Sequence, residues 1–324
     1  MKNSFYKNGL LVLMICVFSA PLYARGSEER EIPLTIYSIR GPSGVGLIRL
    51  FESPPKIDGF NISVEALSNA ELMAARFISG EAKAGILPPN IAAKIASSGR
   101  DIRAAAVTAT GMLSLLSLDP QLESIQGLSG KSVEVSAQGA TPDYVFRRIL
   151  RHRGLDPDRD LTLGYSLSPA EAALSLIAGR ISTALLPEPF ATMALLERPS
   201  LNQVADINEE WINAGGLANF PMTLFVVDGD FASSHPLALK RILEEVEASI
   251  NWVVENPLEA GLLVEKHDLG LRASIAAAAI PKSSYVFIPA ARARPSLEEL
   301  FRVFMENDPV SIGDILPGDR FYLE

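Results

Sequence analysis

The feature that most constrains the fold of this chain is a set of local signals that occurs twice at nearly equal spacing. The segments 41–87 and 139–186 each contain a loop glycine, a glycine that ends a predicted helix, and a leucine followed by proline. The two glycines lie 39 residues apart in the first segment and 40 in the second, and the loop glycine and the leucine lie 46 and 47 residues apart. The matching positions are Gly41 and Gly139, Gly80 and Gly179, and Leu87 and Leu186. This spacing indicates two halves with one plan, with chance repetition in an ordinary α/β chain as the alternative.

Each half alternates short runs rich in β-forming residues with amphipathic helical stretches. In the first half, strands are predicted at 34–39, 61–67 and 84–87, with helices ending at 51, covering 70–79 and starting at 91. In the second half, strands are predicted at 132–136, at 161–165 and just before Leu186, with helices ending at 152 and covering 169–178. Because proline does not continue a central strand, each Leu-Pro pair directs the chain out at the carboxyl end of its strand. Ligand loops of open α/β sheets lie at that end.

The chain is predicted to cross between the two halves twice. Residues 101–118 are predicted to continue the first half as an interrupted strand, and residues 222–227 to return to it as a strand. The predicted fold class is therefore α/β with two lobes, each a mixed sheet flanked by helices, joined by two crossover segments. The first lobe is predicted to comprise 31–118 and 222–324, and the second 119–221. Helices are expected at 236–256 and 258–267, followed by a tail after Pro281 that packs on the first lobe.

The N-terminus is predicted to be an export signal. Lys2 and Lys7 precede an uncharged apolar run from Gly9 to Ala20, and the small residue Ala24 follows shortly after it. This order predicts a signal peptide over 1–24 and a periplasmic location. The alternative is a lipoprotein signal with Cys16 as the modified residue, although the residue before that cysteine is not small.

Composition argues against several classes of protein. Cys16 is the only cysteine, so cleavage after Ala24 leaves no disulfide, thiolate metal site or cysteine nucleophile. A formal net charge of −9 disfavours nucleic acid as a partner. No metal site is predicted, because the histidines are far apart and none pairs with a carboxylate at ligand spacing. No cofactor is predicted either, since the dinucleotide and phosphate-loop glycine motifs are missing from the sequence.

Four short motifs occur in an order that resembles a known group of proteins. They are Gly127–Lys131, Gly139–Pro142, Leu186–Phe190, and Trp252 with Asn256-Pro257. With them, the chain is similar to the periplasmic binding proteins of ABC importers for nitrate, taurine, aliphatic sulfonates and pyrimidine precursors of thiamine. The resemblance covers nearly the whole chain after the predicted signal.

The resemblance implies a type II periplasmic binding protein fold in which two lobes close by a hinge over a small solute. It implies a monomer without enzymatic activity that works with an ABC permease and its ATPase. Contact with the membrane would come only through the permease or through a lipid on Cys16. Two alternatives stay open, namely an enzyme of the menaquinone or pyrimidine-forming kind on the same fold, and a periplasmic sensor input protein.

The predicted solute-binding residues lie in the loops that follow strands and are expected to face one cleft. Helix starts near Ser43 and Thr141 leave backbone N–H donors unpaired, and such donors suit anions. Ordinary helix capping is the alternative role for both hydroxyls. The other predicted loop positions are Pro42, Gly44, Pro88, Pro89, Asn90, Thr110, Gly139, Ala140 and Asn219.

Four side chains carry more specific expectations. Arg40 adjoins the first loop and either counters an anionic solute or lies solvated at the surface. Glu188 stands between two prolines and either accepts hydrogen bonds from the solute or braces the hinge. An acid at this position favours a solute that carries N–H or hydroxyl groups. Phe190 and Phe220 are candidates for stacking on a ring, with core packing as the alternative.

Overall fold

The computed structural model describes residues 31–324, and eleven strands in this range form two sheets. The strands are β1 (Ile32–Ile39), β2 (Phe60–Leu67), β3 (Ala84–Leu87), β4 (Ile102–Thr110), β5 (Leu113–Ser117), β6 (Ser132–Val135), β7 (Thr162–Gly164), β8 (Thr183–Pro187), β9 (Asn202–Asp206), β10 (Pro221–Asp228) and β11 (Tyr285–Pro289). The first sheet has the order β11-β4-β10-β3-β1-β2, and the second has the order β7-β6-β8-β5-β9.

Thirteen α-helices in the same range flank the sheets. They are α1 (Pro42–Val45), α2 (Ile48–Glu52), α3 (Ala70–Ser79), α4 (Pro89–Ser97), α5 (Thr141–His152), α6 (Pro169–Ile177), α7 (Phe190–Glu197), α8 (Ile207–Asn213), α9 (Gly229–Ser234), α10 (Pro236–Glu255), α11 (Pro257–Lys266), α12 (Ala273–Ala279) and α13 (Ala290–Asn307). None of the described helices is long and apolar enough to span a membrane.

The two sheets share one topology. In the first, β1 pairs in parallel with β2 and β3, and β3 pairs with the antiparallel β10. In the second, β6 pairs in parallel with β7 and β8, and β8 pairs with the antiparallel β5. In each sheet the antiparallel neighbour comes from the crossing segment rather than from the repeated unit. The predicted fold class, α/β with two mixed sheets flanked by helices, is confirmed.

The crossing from the first sheet to the second differs from its sequence prediction. Residues 101–118 were expected to stay in the first lobe, whereas β4 lies in the first sheet and β5 lies in the second. Gly111 and Met112 separate these strands, and both have positive φ angles, 61° and 58°. Such a backbone turns sharply, which redirects the chain from one sheet to the other. We therefore propose that the boundary between the lobes lies at Gly111–Met112, with the second boundary before β10.

The C-terminal region is more ordered than its composition predicted. The tail expected after Pro281 contains the edge strand β11 and the 18-residue helix α13. Helix α13 packs against β4 and β11 of the first sheet and also against α5, which follows the second sheet. The sequence prediction also missed β9, α8 and α12, which are short or interrupted by polar residues. The predicted signal peptide over 1–24 and the alternative role of Cys16 lie outside the described residues.

The apolar core is divided among three clusters of buried side chains. One fills the face of the first sheet that carries α10 and α11, and another lies between α6, α7 and β8. The largest runs from α3 and α4 to α5 and α13, and it contains buried side chains that pack next to both sheets. The halves are thus in apolar contact on the side of α5 and α13.

Candidate functional site

Loops from both sheets surround a cavity of about 180 Å³ at the carboxyl ends of the parallel strands, which we call the central cavity. The first sheet contributes the loops after β1 and β3, and the second contributes the loops after β6 and β8. Residues of the crossing strands β4 and β10 complete its lining. The lining residues are Pro42, Ser43, Pro88, Ala109, Met112, Ser136, Ala137, Ala140, Thr141, Pro142, Pro169, Pro187, Met222 and Thr223. This is the place where open α/β folds bind ligands.

The loop after β1 is held by two buried contacts. The hydroxyl of Tyr285 donates a hydrogen bond to the carbonyl oxygen of Pro42 at 2.9 Å. Burial raises the pKa of Tyr285, which keeps this hydroxyl protonated. A Cβ atom at Gly44 would lie 2.8 Å from the carbonyl oxygen of Ile39, so the turn into α1 has room only for glycine. The edge strand β11 therefore fixes the position of Pro42 and Ser43.

The loop after β6 is held by a buried carboxylate in the first turn of α5. Asp143 is 3% exposed, so its oxygen atoms depend on partners within the protein. Its Oδ2 accepts the N–H of Gly139 at 2.9 Å, and its Oδ1 accepts Arg147 Nε at 2.9 Å and the hydroxyl of Tyr165 at 2.7 Å. Gly139 itself has a positive φ of 73°. This network sets the path of the loop that presents Ala140 and Thr141.

Two residues of the cavity wall other than glycine have left-handed backbone conformations. Met112 has a φ of 58° and Ala137 a φ of 63°. This conformation costs an L-residue roughly 1–2 kcal/mol, because Cβ approaches the following carbonyl oxygen. Strain of this kind tends to occur where a binding site depends on a particular backbone path. Both residues line the cavity, which is consistent with a functional role for its walls.

Four buried polar atoms near the cleft have no hydrogen-bond partner among the described residues. They are Ser38 Oγ, Asn90 Oδ1, Ser136 Oγ and Thr141 Oγ1. Buried polar groups are normally paired, and an unpaired one costs about 1–3 kcal/mol. The first two atoms come from the half with the first sheet, and the last two from the half with the second. Of the four, Ser136 Oγ and Thr141 Oγ1 belong to residues that line the cavity, where a solute is a natural partner for them.

A second cavity lies beside the crossing segments and shares Met112 with the first. Its lining is polar and consists of Gly111, Met112, Leu113, Ser114, Glu188, Gln203, Asp206, Asn208, Asn219, Lys282 and Ser284. Glu188 is 4% exposed, and its Oε2 accepts the backbone N–H of Thr192 at 3.0 Å. Burial raises the pKa of the Glu188 carboxyl, and the hydrogen bond from Thr192 and the charge of Lys282 partly oppose this rise. We call this space the hinge cavity.

The two crossings are joined directly to each other. The N–H of Gly111, after β4, donates to the carbonyl oxygen of Phe220, before β10, at 2.9 Å. Across the cleft, Asn90 Nδ2 donates to the carbonyl oxygen of Gly139 at 3.4 Å, which links the two ligand loops. Motion about the crossings would open or close this link.

One face of α5 forms a further set of contacts with α13. Arg148 makes an ion pair with Glu299 at 3.1 Å, and its guanidinium lies 4.3 Å from the ring centroid of Trp211. One turn earlier, Tyr144 packs edge-on against Phe304 with the ring centroids 5.5 Å apart. Apolar and charged contacts together therefore join α5 and α13 on this side of the molecule. On the opposite side, the α7–α12 contact carries an exposed ion pair between Arg272 and Glu197.

The structure places the predicted site residues in three groups. The central cavity is lined by Pro42, Ser43, Pro88, Ala140 and Thr141. The hinge cavity is lined by Glu188 and Asn219. The remaining predicted positions lie beside these cavities: Gly44, Pro89, Asn90, Gly139 and Phe190 are in loops or at helix starts, and Thr110 is the last residue of β4. Their contacts with a solute stay predictions.

Three of the predicted residues have partners within the protein that favour their alternative roles. Arg40 lies at the surface in an ion pair with Asp268. Phe220 is fully buried and packs edge-on against Trp211, with the ring centroids 5.8 Å apart. Thr110 Oγ1 lies 2.9 Å from Ser284 Oγ and is thereby satisfied inside the first lobe.

Sequence reasoning missed most of the apolar wall. Met112, Met222 and Thr223 come from the crossing segments, whose exact turn positions were not predicted. Ser136 and Ala137 come directly after β6, so their place at the carboxyl end of a parallel strand was a usable signal. Among the described residues, no cluster of histidine, cysteine or carboxylate side chains has the geometry to hold a metal ion.

The architecture is that of the two-lobed periplasmic binding protein fold. The chain belongs to the NMT1-like family, whose sequence profile matches residues 64–261. Comparison with curated protein sequences found no significant match.

The chain is similar in fold to solved structures described as ABC transport or periplasmic binding proteins. The crystal structure of an ABC transporter from Parabacteroides distasonis is 25% identical, has a TM-score of 0.79, and aligns over 91% of this chain and 99% of its own. The periplasmic aliphatic sulphonate binding protein SsuA from Escherichia coli is 16% identical, with a TM-score of 0.70 and coverage of 90% and 92%. The periplasmic nitrate-binding protein NrtA from Synechocystis PCC 6803 is 14% identical, with a TM-score of 0.59 and coverage of 76% and 69%. The resemblance predicted from the sequence is confirmed.

Proposed function

We propose that this protein is the extracytoplasmic solute-binding component of an ABC importer, which captures a small solute between its lobes and passes it to a membrane permease. One observation carries the proposal, namely that loops from both sheets line one cavity whose wall includes two buried hydroxyls, those of Ser136 and Thr141, without a partner among the described residues. A solute that contacts both halves stabilises the closed form by its differential affinity for the closed and open arrangements. Sulfonates, nitrate and pyrimidine-like molecules are the first candidates, since relatives on this fold include sulphonate and nitrate binding proteins.

Hinge closure is supported by the way the lobes are connected. The two crossings are joined by the hydrogen bond from Gly111 to Phe220, so they lie side by side, as the two segments of a hinge would. The link from Asn90 to Gly139 lies across the cleft and can form only when the two ligand loops approach. The permease would then read the closed form.

Binding rather than catalysis is favoured by the chemistry of the cavity wall. Its polar side chains are the hydroxyls of Ser43, Ser136, Thr141 and Thr223. Among the described residues that line it, none supplies the acid–base pair that a hydrolytic or transfer reaction would use.

The binding role is tested by thermal-shift measurements of the exported chain against sulfonates, nitrate, amino acids and pyrimidines. A ligand of the folded state raises the melting temperature according to its concentration relative to Kd. Thr141→Trp should abolish the rise by filling the cavity, whereas Thr162→Trp, at an exposed position of β7, should retain it. A rise that persists unchanged in the first variant would place the solute elsewhere.

The transport role needs a separate measurement. Proteoliposomes that hold the permease and its ATPase should take up the identified solute only when this protein is present. Uptake at the same rate without it would contradict the importer role while leaving solute binding intact.

A further inference from the structure

The wall of the central cavity is almost entirely apolar. Five prolines, three alanines and two methionines form most of it, and the two methionines are Met112 and Met222. Among the described residues that line the cavity, none carries a charged side chain. Burial of an apolar solute against this wall is favourable, and the wall provides no opposite charge for an ionic solute.

Only two of the wall hydroxyls are buried and without a partner. Thr223 Oγ1 is already paired with Thr108 Oγ1 at 2.8 Å, whereas Ser136 Oγ and Thr141 Oγ1 are unpaired. A hydroxyl both donates and accepts hydrogen bonds, so this pair suits a group that does the same. A sulfonate or nitrate can only accept, and it needs more donors than two hydroxyls provide.

The first turn of α5, one of the helices whose starts adjoin the cavity, is poorly suited to an anion. Pro142 has no N–H, which removes one of the donors that a helix start normally offers. The buried carboxylate of Asp143 lies in the same turn. A negative charge at this end of a helix already offsets its positive dipole.

Two cations near the cleft, Arg40 and Lys282, do not line the central cavity. Arg40 is paired with Asp268 at the surface, and Lys282 lines the hinge cavity, where Glu188 and Asp206 are also found. An anion in the central cavity would therefore lose its hydration without gaining an opposite charge, at a cost of several kcal/mol for such burial. An uncharged molecule avoids this cost.

We propose that the solute of this protein is uncharged, a compact and largely apolar molecule with a group that both donates and accepts hydrogen bonds at Ser136 and Thr141. The proposal rests on the solute-binding function proposed above and narrows its class of solute. It sets this protein apart from the sulphonate and nitrate binding proteins that share its fold.

The test uses pairs of probes that have nearly the same shape and differ in charge: acetamide and acetate, benzamide and benzoate, and methanesulfonamide and methanesulfonate. The chain is labelled with ¹³C-methyl methionine, and the methyl signals of Met112 and Met222 are followed during titration to 100 mM. In at least two pairs, the uncharged member should shift both signals with a Kd at least tenfold lower than that of the anion. Equal or tighter binding of the anions would overturn the inference but leave the binding function intact. Silence of both signals with all six probes would overturn the inference and count against the cavity as the binding site.

A variant that introduces a positive charge into the cavity wall tests whether the missing cation is what disfavours anions. Met222→Lys places an ammonium group in the cavity wall and should improve binding of benzoate relative to benzamide by at least tenfold. Met305→Lys adds the same charge on α13, away from the cavity, and should leave the ratio of the two dissociation constants unchanged. An unchanged ratio in a folded Met222→Lys protein would contradict the proposed role of the missing cation.

Discussion

Thr141 carries an unpaired buried hydroxyl, so removing it should have opposite effects on stability and on binding. The residue is 3% exposed, and its Oγ1 has no partner among the described residues. Replacement by valine keeps the shape of the side chain, and the two residues have similar helix propensities. The substitution therefore changes little except the hydroxyl.

In the empty protein, Thr141→Val should be neutral or stabilising. An unpaired buried hydroxyl costs about 1–3 kcal/mol, so its removal is expected to raise the free energy of unfolding by up to about 1 kcal/mol after the loss of any water contact. Solute binding should weaken by about 0.5–1.5 kcal/mol, the net value of one neutral hydrogen bond, which is roughly a twofold to tenfold rise in Kd.

Thr223→Val is the matched control. Thr223 lines the same cavity, but its hydroxyl is paired with that of Thr108 at 2.8 Å. Its removal leaves Thr108 buried without a partner and should lower the free energy of unfolding by about 1–3 kcal/mol.

Urea unfolding followed by circular dichroism measures both variants, with an unchanged slope showing that the same surface is exposed. Calorimetry with the ligand found by thermal shift measures the binding effect. The reasoning is refuted if Thr141→Val loses more than about 1 kcal/mol of stability in the empty protein, or if it binds the solute as tightly as the native chain.

Three further perturbations follow from the same contacts. Ala137→Gly should stabilise the protein by up to about 1 kcal/mol, because the φ of 63° suits glycine. Ala75→Gly, at an exposed position inside α3, should destabilise it by about 0.5–1 kcal/mol, and urea midpoints in the reverse order would contradict the strain argument. Tyr285→Phe should lower the free energy of unfolding by about 0.5–1.5 kcal/mol, because it removes the hydrogen bond to the carbonyl of Pro42, and it should also weaken solute binding. An unchanged free energy of unfolding together with an unchanged Kd would show that this hydrogen bond does not support the loop. Burial raises the pKa of Glu188 in the folded protein above its ordinary 4.5, so the stability that its proton provides is complete below pH 4.5 and is lost as pH rises through the raised pKa. Glu188→Gln should therefore gain stability relative to the native chain as pH rises from 4 to 8. Parallel profiles of unfolding free energy against pH for the two proteins would exclude this effect.

Much of the fold could be predicted because the repeated signals are local. Helix starts at Pro169 and Pro236 and helix ends at Gly80 and Gly179 agree with the structure, since proline and glycine act on the backbone within one turn. The prediction was wrong for 101–118, where hydrophobic content is continuous across the turn at Gly111. Periodicity alone cannot show which sheet a buried strand joins.

The candidate site was predictable only in part. Loops after strands belong at the carboxyl end of a sheet, which placed Pro42, Ser43 and Thr141 near one another in advance. Which of the other predicted side chains face the cleft depended on their pairing with residues distant in the chain. Arg40 meets Asp268, 228 residues away, and that pairing removes it from the cleft.

By itself, the sequence determined the α/β class, the duplicated plan and the positions of the loops, because turn-forming residues and hydrophobic periodicity act over short distances. Tertiary structure alone decided that β5 joins the second sheet, that Met112 and Met222 line the central cavity, and that the hydroxyls of Ser136 and Thr141 stay unpaired. These outcomes depend on which groups distant in the chain come within hydrogen-bonding distance, and that distance is set by the packing of the two sheets.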